Sequence, residues 1–171
     1  MQIRHAQTPT DWQNVRTLFQ EYAASLNYDL CFQSFEAELE KLPTMYGRPS
    51  GSMLLAEIDG VARGCVGLRP LAEGVCEMKR LYLQPAYRGG GRGLALAKAI
   101  LAEAKSLGYR RIRLDTLPGM QTAIAMYRRF GFREVAPYYA NPVEGTVYME
   151  LDLETVSNFT PQASPDITIK T

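Results

Sequence analysis

Arg88-Gly89-Gly90-Gly91-Arg92-Gly93 lies between an apolar run ending at Leu83 and an alanine- and leucine-rich run beginning at Leu94. Glycines let several backbone N–H groups turn toward one point, and a helix that starts at once adds unpaired donors and the positive end of its dipole. The chemistry this suits is the binding of a phosphate. Glycine-rich stretches also serve as linkers, and Arg-Gly-Gly repeats bind RNA in disordered segments. The helix that follows immediately favours the cradle.

A nucleotide loop of the Gly-x-x-x-x-Gly-Lys-Ser/Thr kind is excluded, because no Lys-Ser or Lys-Thr follows the glycines. A dinucleotide fingerprint needs an acidic residue about 20 positions on. Glu103 comes too early and Asp115 is the only fair candidate, so hydride chemistry has weak support.

The elements that must hold this loop follow from periodicity. Ile3 to His5 reads as a strand. Thr8-Pro9-Thr10-Asp11 reads as a helix cap with proline at the first helical position, and Trp12, Val15, Leu18, Phe19, Tyr22 and Leu26 continue at helical spacing. Phe32 to Leu42 reads as a second helix, with Phe35, Leu39 and Leu42 inward, Glu36, Glu38 and Glu40 mostly outward, and Pro43 as its stop. Met53 to Ile58, Asp59-Gly60 and Val61 to Leu68 form a hairpin pattern, followed after Gly74 by a strand from Val75 to Leu83. Leu94 to Leu107 is a helix with Leu94, Ala97, Leu101 and Ala104 on one face, closed by Gly108. Ile112 to Asp115 is a strand, Gln121 to Phe130 a helix closed by Gly131, and Thr146 to Leu153 a last strand. No internal repeat is evident. The order implies an α/β (α+β) fold, a mixed sheet with helices on its faces, and a ligand site at the carboxyl end of the central strand.

At 171 residues and 46% hydrophobic content the chain fits one domain, residues 1–153, with a loose tail over residues 154–171. Nineteen basic and eighteen acidic side chains leave a net charge of +1, which argues against a nucleic-acid or anionic-membrane partner. Cys31, Cys65 and Cys76 are odd in number, lack Cys-x-x-Cys spacing and sit beside apolar residues, so buried reduced thiols are expected. His5, the single histidine, rules out histidine-pair zinc sites and is expected to be solvated; no metal site is expected. No window reaches the roughly 20 apolar residues of a membrane span, and the start lacks the apolar core of a signal peptide, so a cytoplasmic location is expected.

Two motifs then act together. Arg88-x-x-Gly91-x-Gly93 is preceded by Leu81-Tyr82-Leu83-Gln84-Pro85, and Ala123-x-x-x-Tyr127-Arg128-Arg129-Phe130-Gly131-Phe132 follows one helix and one strand later. This resembles the GNAT superfamily of acetyl-CoA-dependent N-acetyltransferases over roughly residues 2 to 153. The resemblance implies a mixed, mostly antiparallel central sheet with helices on both faces and splayed central strands. It implies that the N–H groups of Gly89, Gly90, Gly91, Arg92, Gly93 and Leu94 face the pyrophosphate of coenzyme A, with Arg88 and Arg92 adding charge. The backbone of Leu81, Tyr82 and Leu83 would hold the pantetheine arm and thioester, and the Leu83 N–H the oxyanion.

An attacking amine must lose a proton, and Glu77, six residues before Leu83 and on the same face by strand alternation, matches the base some members use; a water relay is the alternative, and pairing of Glu77 with Lys79 on that face is the competing role. Tyr127 matches the acid that protonates the leaving thiolate. Where many members carry an asparagine contacting the coenzyme, this chain has Met120, leaving the adjacent Gln121 for that contact. Acceptor contacts are expected from Glu36, Arg69, Tyr138, Tyr139 and Asn141, the last three in a lip over the acceptor channel. The implied activity is transfer of an acetyl group from acetyl-CoA to a primary amine, on a small molecule or a protein, by direct attack in a ternary complex without a metal. The alternative is a non-catalytic acyl-CoA-binding sensor. A homodimer is a possible assembly.

Overall fold

A computed structural model gives the fold for residues 1–26, 34–155 and 168–169. Strand β1 (Gln2–His5) leads into α1 (Pro9–Ala24) and then two short helices, α2 (Phe35–Glu40) and α3 (Leu42–Tyr46). The meander β2 (Ser52–Ile58), β3 (Val61–Ala72) and β4 (Val75–Leu83) follows, and a 3₁₀ turn (Pro85–Tyr87) delivers the chain to α4 (Arg92–Ser106). The remaining elements are β5 (Arg111–Thr116), α5 (Gln121–Phe130), β6 (Arg133–Glu134), β7 (Val147–Asp152) and β8 (Thr168–Ile169).

The strands form one sheet in the order β6-β7-β5-β4-β3-β2-β1-β8. The β4–β5 and β1–β8 pairs are parallel and the others antiparallel. One face packs on α4 and α5 through Leu68, Met78, Leu83, Ile100, Leu114 and Tyr127. The other packs on α1 to α3 through Val15, Phe19, Leu39, Tyr46, Leu55 and Tyr82. Cys65 and Cys76 are buried free thiols, and burial pushes the Cys76 thiol up to about 12; Cys31 lies outside the described residues.

Helix α1 starts as its sequence dictates. The Thr8 hydroxyl accepts from the Asp11 N–H at 3.2 Å and the Asp11 carboxylate accepts from the Thr8 N–H at 3.0 Å, with Pro9 at the position that needs no donor. Asp11 also takes Arg4 from β1 at 2.8 Å, which fixes the helix against the sheet.

Four expectations need correction. The segment from Phe35 to Tyr46 is two short helices: Lys41 breaks the first, and Pro43 sits in the opening turn of the second, where its missing N–H costs nothing. Phe32 lies outside the described residues. Glu38 faces inward and is buried, whereas Glu36 is exposed. Leu94 is 42% exposed, because the inner face of α4 is set by Leu96, Ala97, Ile100, Leu101 and Ala104. His5 is held in β1, with its ring Nε2 3.1 Å from Glu103 and 3.2 Å from an Arg48 nitrogen. Thr168 and Ile169 pair with Gln2 and Ile3 at the sheet edge.

Candidate active site

Strands β4 and β5 begin side by side and then part. Val75, Cys76 and Glu77 pair with Arg111, Ile112 and Arg113, and the ladder stops there although β4 runs on to Leu83 and β5 to Thr116. From Arg111 to Thr116, β5 stays paired with β7, so it leans away from β4 and opens a wedge. A cavity of about 80 Å³ fills this wedge, with Lys79 and Arg80 from β4, Asp115 from β5, Tyr22 from α1, and Met120 and Tyr127 from α5 among its walls. It therefore reaches both faces of the sheet.

A bulge in β4 shapes the wedge. Cys65 lies opposite Tyr82 and Gly67 opposite Lys79, so β4 carries one residue more than β3 over this stretch. Arg80 takes up the extra residue in a left-handed conformation, φ +57°. The bulge turns both Lys79 and Arg80 toward α1 to α3 and inverts the alternation beyond. Glu77 and Leu83, expected on the same face, therefore lie on opposite ones: Glu77 pairs with Arg69 on the α1–α3 side, and Leu83 packs with α4 and α5.

The polar groups on the α1–α3 side are tightly paired. Glu77 is 1% exposed; its Oε2 accepts from Arg69 Nε at 2.8 Å, and its Oε1 accepts from the Tyr138 hydroxyl at 2.9 Å. Lys79 stands 3.8 Å from Glu77 but only 2.8 Å from Asp115 Oδ1, so it pairs mainly across the wedge. Asp115 Oδ2 accepts from the Tyr139 hydroxyl at 2.7 Å, and Asn141 donates to that hydroxyl at 3.2 Å. Burial alone would raise the Asp115 carboxyl; the Lys79 ammonium and these hydrogen bonds outweigh it and hold the group below the ordinary carboxylate value. Tyr138 and Tyr139 thus reach one carboxylate on each parting strand, and their rings meet Tyr148 edge-on at 5.3 and 5.5 Å.

On the opposite side Tyr127 closes the wedge. Gly131, at φ +95°, ends α5 with the Phe132 N–H donating to the Tyr127 carbonyl at 3.1 Å and the two rings 5.6 Å apart. This is the glycine-terminated helix end with its accompanying apolar contact, and it sets where Tyr127 points. Burial, and behind it the nearby Tyr22 and Asp115, raises the Tyr127 phenol far above its ordinary value, so it stays protonated.

At the wide end of the wedge, the Gln84 N–H donates to the Arg63 carbonyl at 2.9 Å across the β3 ladder. Strand alternation then aims the N–H of Leu83 to the other edge, toward the parting β5. The Leu83 carbonyl accepts from Arg88 Nε at 3.0 Å, and the Arg88 guanidinium stands 5.8 Å from the Tyr82 ring. Gly89, Gly90 and Gly91 have φ of +88°, +56° and +75°, a run of left-handed residues that favours glycine and curls the backbone into a concave nest of N–H groups. Gly91 is the N-cap of α4 and has no side chain to satisfy the first turn, which leaves donors of Gly93 and Leu94 facing outward. Arg92 turns back, with one guanidinium nitrogen 3.4 Å from the Tyr87 carbonyl.

The structure thus gathers Arg69, Glu77, Tyr138, Tyr139 and Asn141 on one side of the wedge, and Leu81, Tyr127, Leu83 and the loop from Arg88 to Leu94 along its other side and mouth. It does not bring Glu36 there. Gln121 is exposed and donates to the Pro118 carbonyl at 2.6 Å, while Met120 lines the cavity. Residues missed from sequence are Glu38, Arg80 and the Lys79–Asp115 pair. Arg80 carries no signal of a bulge, whereas Asp115 is visible at a strand end, where the sequence offers it only as a ribose ligand.

A sequence profile described as the acetyltransferase (GNAT) family matches residues 12–132. An uncharacterized N-acetyltransferase from Schizosaccharomyces pombe is 40% identical over 153 residues, covering 88% of this chain and 94% of its own. Among solved structures, a GNAT-family acetyltransferase from Staphylococcus aureus superposes with a TM-score of 0.73 at 18% identity, covering 88% of this chain and 99% of its own. A Salmonella typhimurium acetyltransferase solved with its cofactor acetyl-CoA does so with a TM-score of 0.64 at 17% identity, covering 91% and 95%. The matched span runs from Trp12 in α1 to Phe132 beside Tyr127 and so takes in the wedge, the glycine nest and the end of α5; the chain belongs to the GNAT acetyltransferase family and is an acyltransferase.

Proposed function

We propose that the protein transfers an acetyl group from acetyl-CoA directly to a primary amine, the two meeting in the wedge between β4 and β5. The observation that carries this reading is the early end of the β4–β5 ladder at Glu77 and Arg113 with Tyr127 closing the gap behind it. Acetyl-CoA bound in the Salmonella relative supports the choice of donor.

The pyrophosphate suits the left-handed run from Gly89 to Gly91 and the open first turn of α4, where backbone N–H groups and the helix dipole favour an anion. The thioester then lies along Leu81 to Leu83, and the Leu83 N–H stabilises the oxyanion that forms on its carbonyl oxygen, an effect of about 3 kcal/mol. The amine nitrogen attacks the carbonyl carbon from the α1–α3 side. Its proton leaves through water, because the cavity of about 80 Å³ has room for several waters, whereas both oxygens of Glu77 are engaged. Glu77 acts by holding Arg69 and Tyr138. When the carbon–sulfur bond breaks, Tyr127 gives its proton to the thiolate and recovers one from solvent. A module that only held the coenzyme would have no use for a buried, protonated phenol at the sulfur.

Initial rates of thiol release, measured against acetyl-CoA and a panel of primary amines together, test this. Direct transfer gives intersecting double-reciprocal lines and no thiol release without an amine. Parallel lines, or a burst of thiol before amine is added, would show an acyl-enzyme and overturn it.

A further inference from the structure

The walls of the wedge carry a pattern of charge that points to a class of acceptor. On the α1–α3 side three cations and three carboxylates form three close pairs: Arg69 with Glu77 at 2.7 Å, Lys79 with Asp115 at 2.8 Å, and Arg80 with Glu38 at 2.6 Å. Five of the six side chains are almost fully buried, Arg69 being the more open one. Each of the three carboxylates also takes a tyrosine hydroxyl, Glu77 from Tyr138, Glu38 from Tyr46 and Asp115 from Tyr139, but neither Glu77 nor Glu38 lines the cavity. Lys79 and Asp115 differ from them in that both partners line the cavity.

A buried set that is neutral by pairing resists the arrival of net charge, because an added ion must shed its water without a free partner. An amine with a single positive charge would leave Lys79, Arg80 and the newcomer facing Asp115, the one carboxylate that lines the cavity among the described residues. An acceptor with an ammonium and a carboxylate on neighbouring atoms adds no net charge. Set against the Lys79–Asp115 pair, its ammonium faces Asp115 and its carboxylate faces Lys79, which closes a four-membered ring of alternating charge without moving the pair apart. The 2.8 Å between the pair's charged atoms demands a compact arrangement of the two groups on the ligand. A long ω-amino acid would not match it.

We propose that the acceptor is a compact zwitterion of the α-amino acid class, selected by Lys79 through its carboxylate and by Asp115 through its ammonium. This rests on the acetyl transfer proposed above. Asp115 holds the ammonium until water takes its proton, and Lys79 keeps the carboxylate while the freed amine attacks.

The test compares acetyl-CoA-dependent thiol release with common L-amino acids, their α-carboxamides and aliphatic diamines. At least one amino acid should exceed its own carboxamide by ~10-fold or more in kcat/KM, the range of a charge-assisted contact. Lys79→Met should erase that preference and raise the KM for the acid without a matching change in the KM for acetyl-CoA. Carboxamides or diamines that react as well as the acids overturn the proposal, as does acetyl-CoA binding with no turnover of any amino acid. The acid-against-carboxamide comparison uses the unaltered protein, so it stands even if Lys79→Met fails to fold. Absence of acetyl-CoA binding would instead remove the acetyl-transfer reading itself, which sets that failure apart.

Discussion

Arg80, in a left-handed conformation at φ +57° in the middle of β4, reaches across to α2 and places its NH2 2.6 Å from Glu38 Oε2. A non-glycine residue in this region costs about 1 kcal/mol or more, so the bulge needs support from its surroundings. The Glu38 carboxylate, the Tyr46 hydroxyl that donates to it, and the Phe35 ring 5.4 Å from the guanidinium supply it. Glu38→Gln leaves a buried cation without its counter-charge and should destabilise the protein by about 3 kcal/mol or more at neutral pH, measured by urea unfolding. Burial raises the Glu38 carboxyl and Arg80 more than offsets this, so its folded value lies below the ordinary 4.5. A depressed carboxylate stabilises fully above the unfolded value and loses that contribution as pH falls through the folded one. The gap between wild type and variant should therefore narrow below about pH 4.5.

Tyr127→Phe removes the proposed proton donor while keeping the ring against Phe132. The rate of thiol release should fall by about 10²-fold with acetyl-CoA affinity little changed. Because burial holds the phenol above the ordinary 10.0, the wild-type rate should show no loss of acid up to about pH 10. An unchanged rate for the variant across the pH range would remove Tyr127 from the chemistry.

Gly91→Ala adds a Cβ that meets nothing within 4 Å, so its cost is the left-handed backbone alone, about 1 kcal/mol. Gly60, at the same φ of +75° and equally open, lies in the β2–β3 turn, outside both the glycine nest and the cavity walls. Both variants should lose similar stability in thermal unfolding. Only Gly91→Ala should raise the KM for acetyl-CoA, by several-fold.

Tyr138→Phe and Tyr139→Phe each delete one hydroxyl from a carboxylate, Glu77 in the first case and Asp115 in the second. Both should change the KM for the amine and leave the KM for acetyl-CoA within about twofold, since neither hydroxyl meets the glycine loop proposed to hold the coenzyme. Tyr139→Phe should have the larger effect, because Asp115 lines the cavity and Glu77 does not.

The sequence carried the elements whose causes are local. Thr8-Pro9-Thr10-Asp11 holds the whole cap of α1, Gly131 ends α5 one residue past Phe130, and the glycine run precedes its helix without a gap. These same local signals fix Tyr127 and the glycine nest. What was not legible arises between elements. Nothing in Lys79-Arg80-Leu81 announces an extra residue, since Arg80 is held left-handed by Glu38, 42 positions away. That one bulge reverses the face of every later side chain in β4, which is why strand alternation put Glu77 beside Leu83. The inward turn of Glu38 and the 2.8 Å pair between Lys79 and Asp115 likewise depend on how α2 and β5 pack against β4.

The reading as a whole depends on the wedge and the nest holding an acyl coenzyme A together. Titration calorimetry with acetyl-CoA on the unaltered protein tests that most directly. Saturable binding to one site, weakened several-fold by Gly91→Ala and unchanged by Gly60→Ala, is the expected result. No heat of binding at millimolar acetyl-CoA, or equal weakening by both variants, would contradict it.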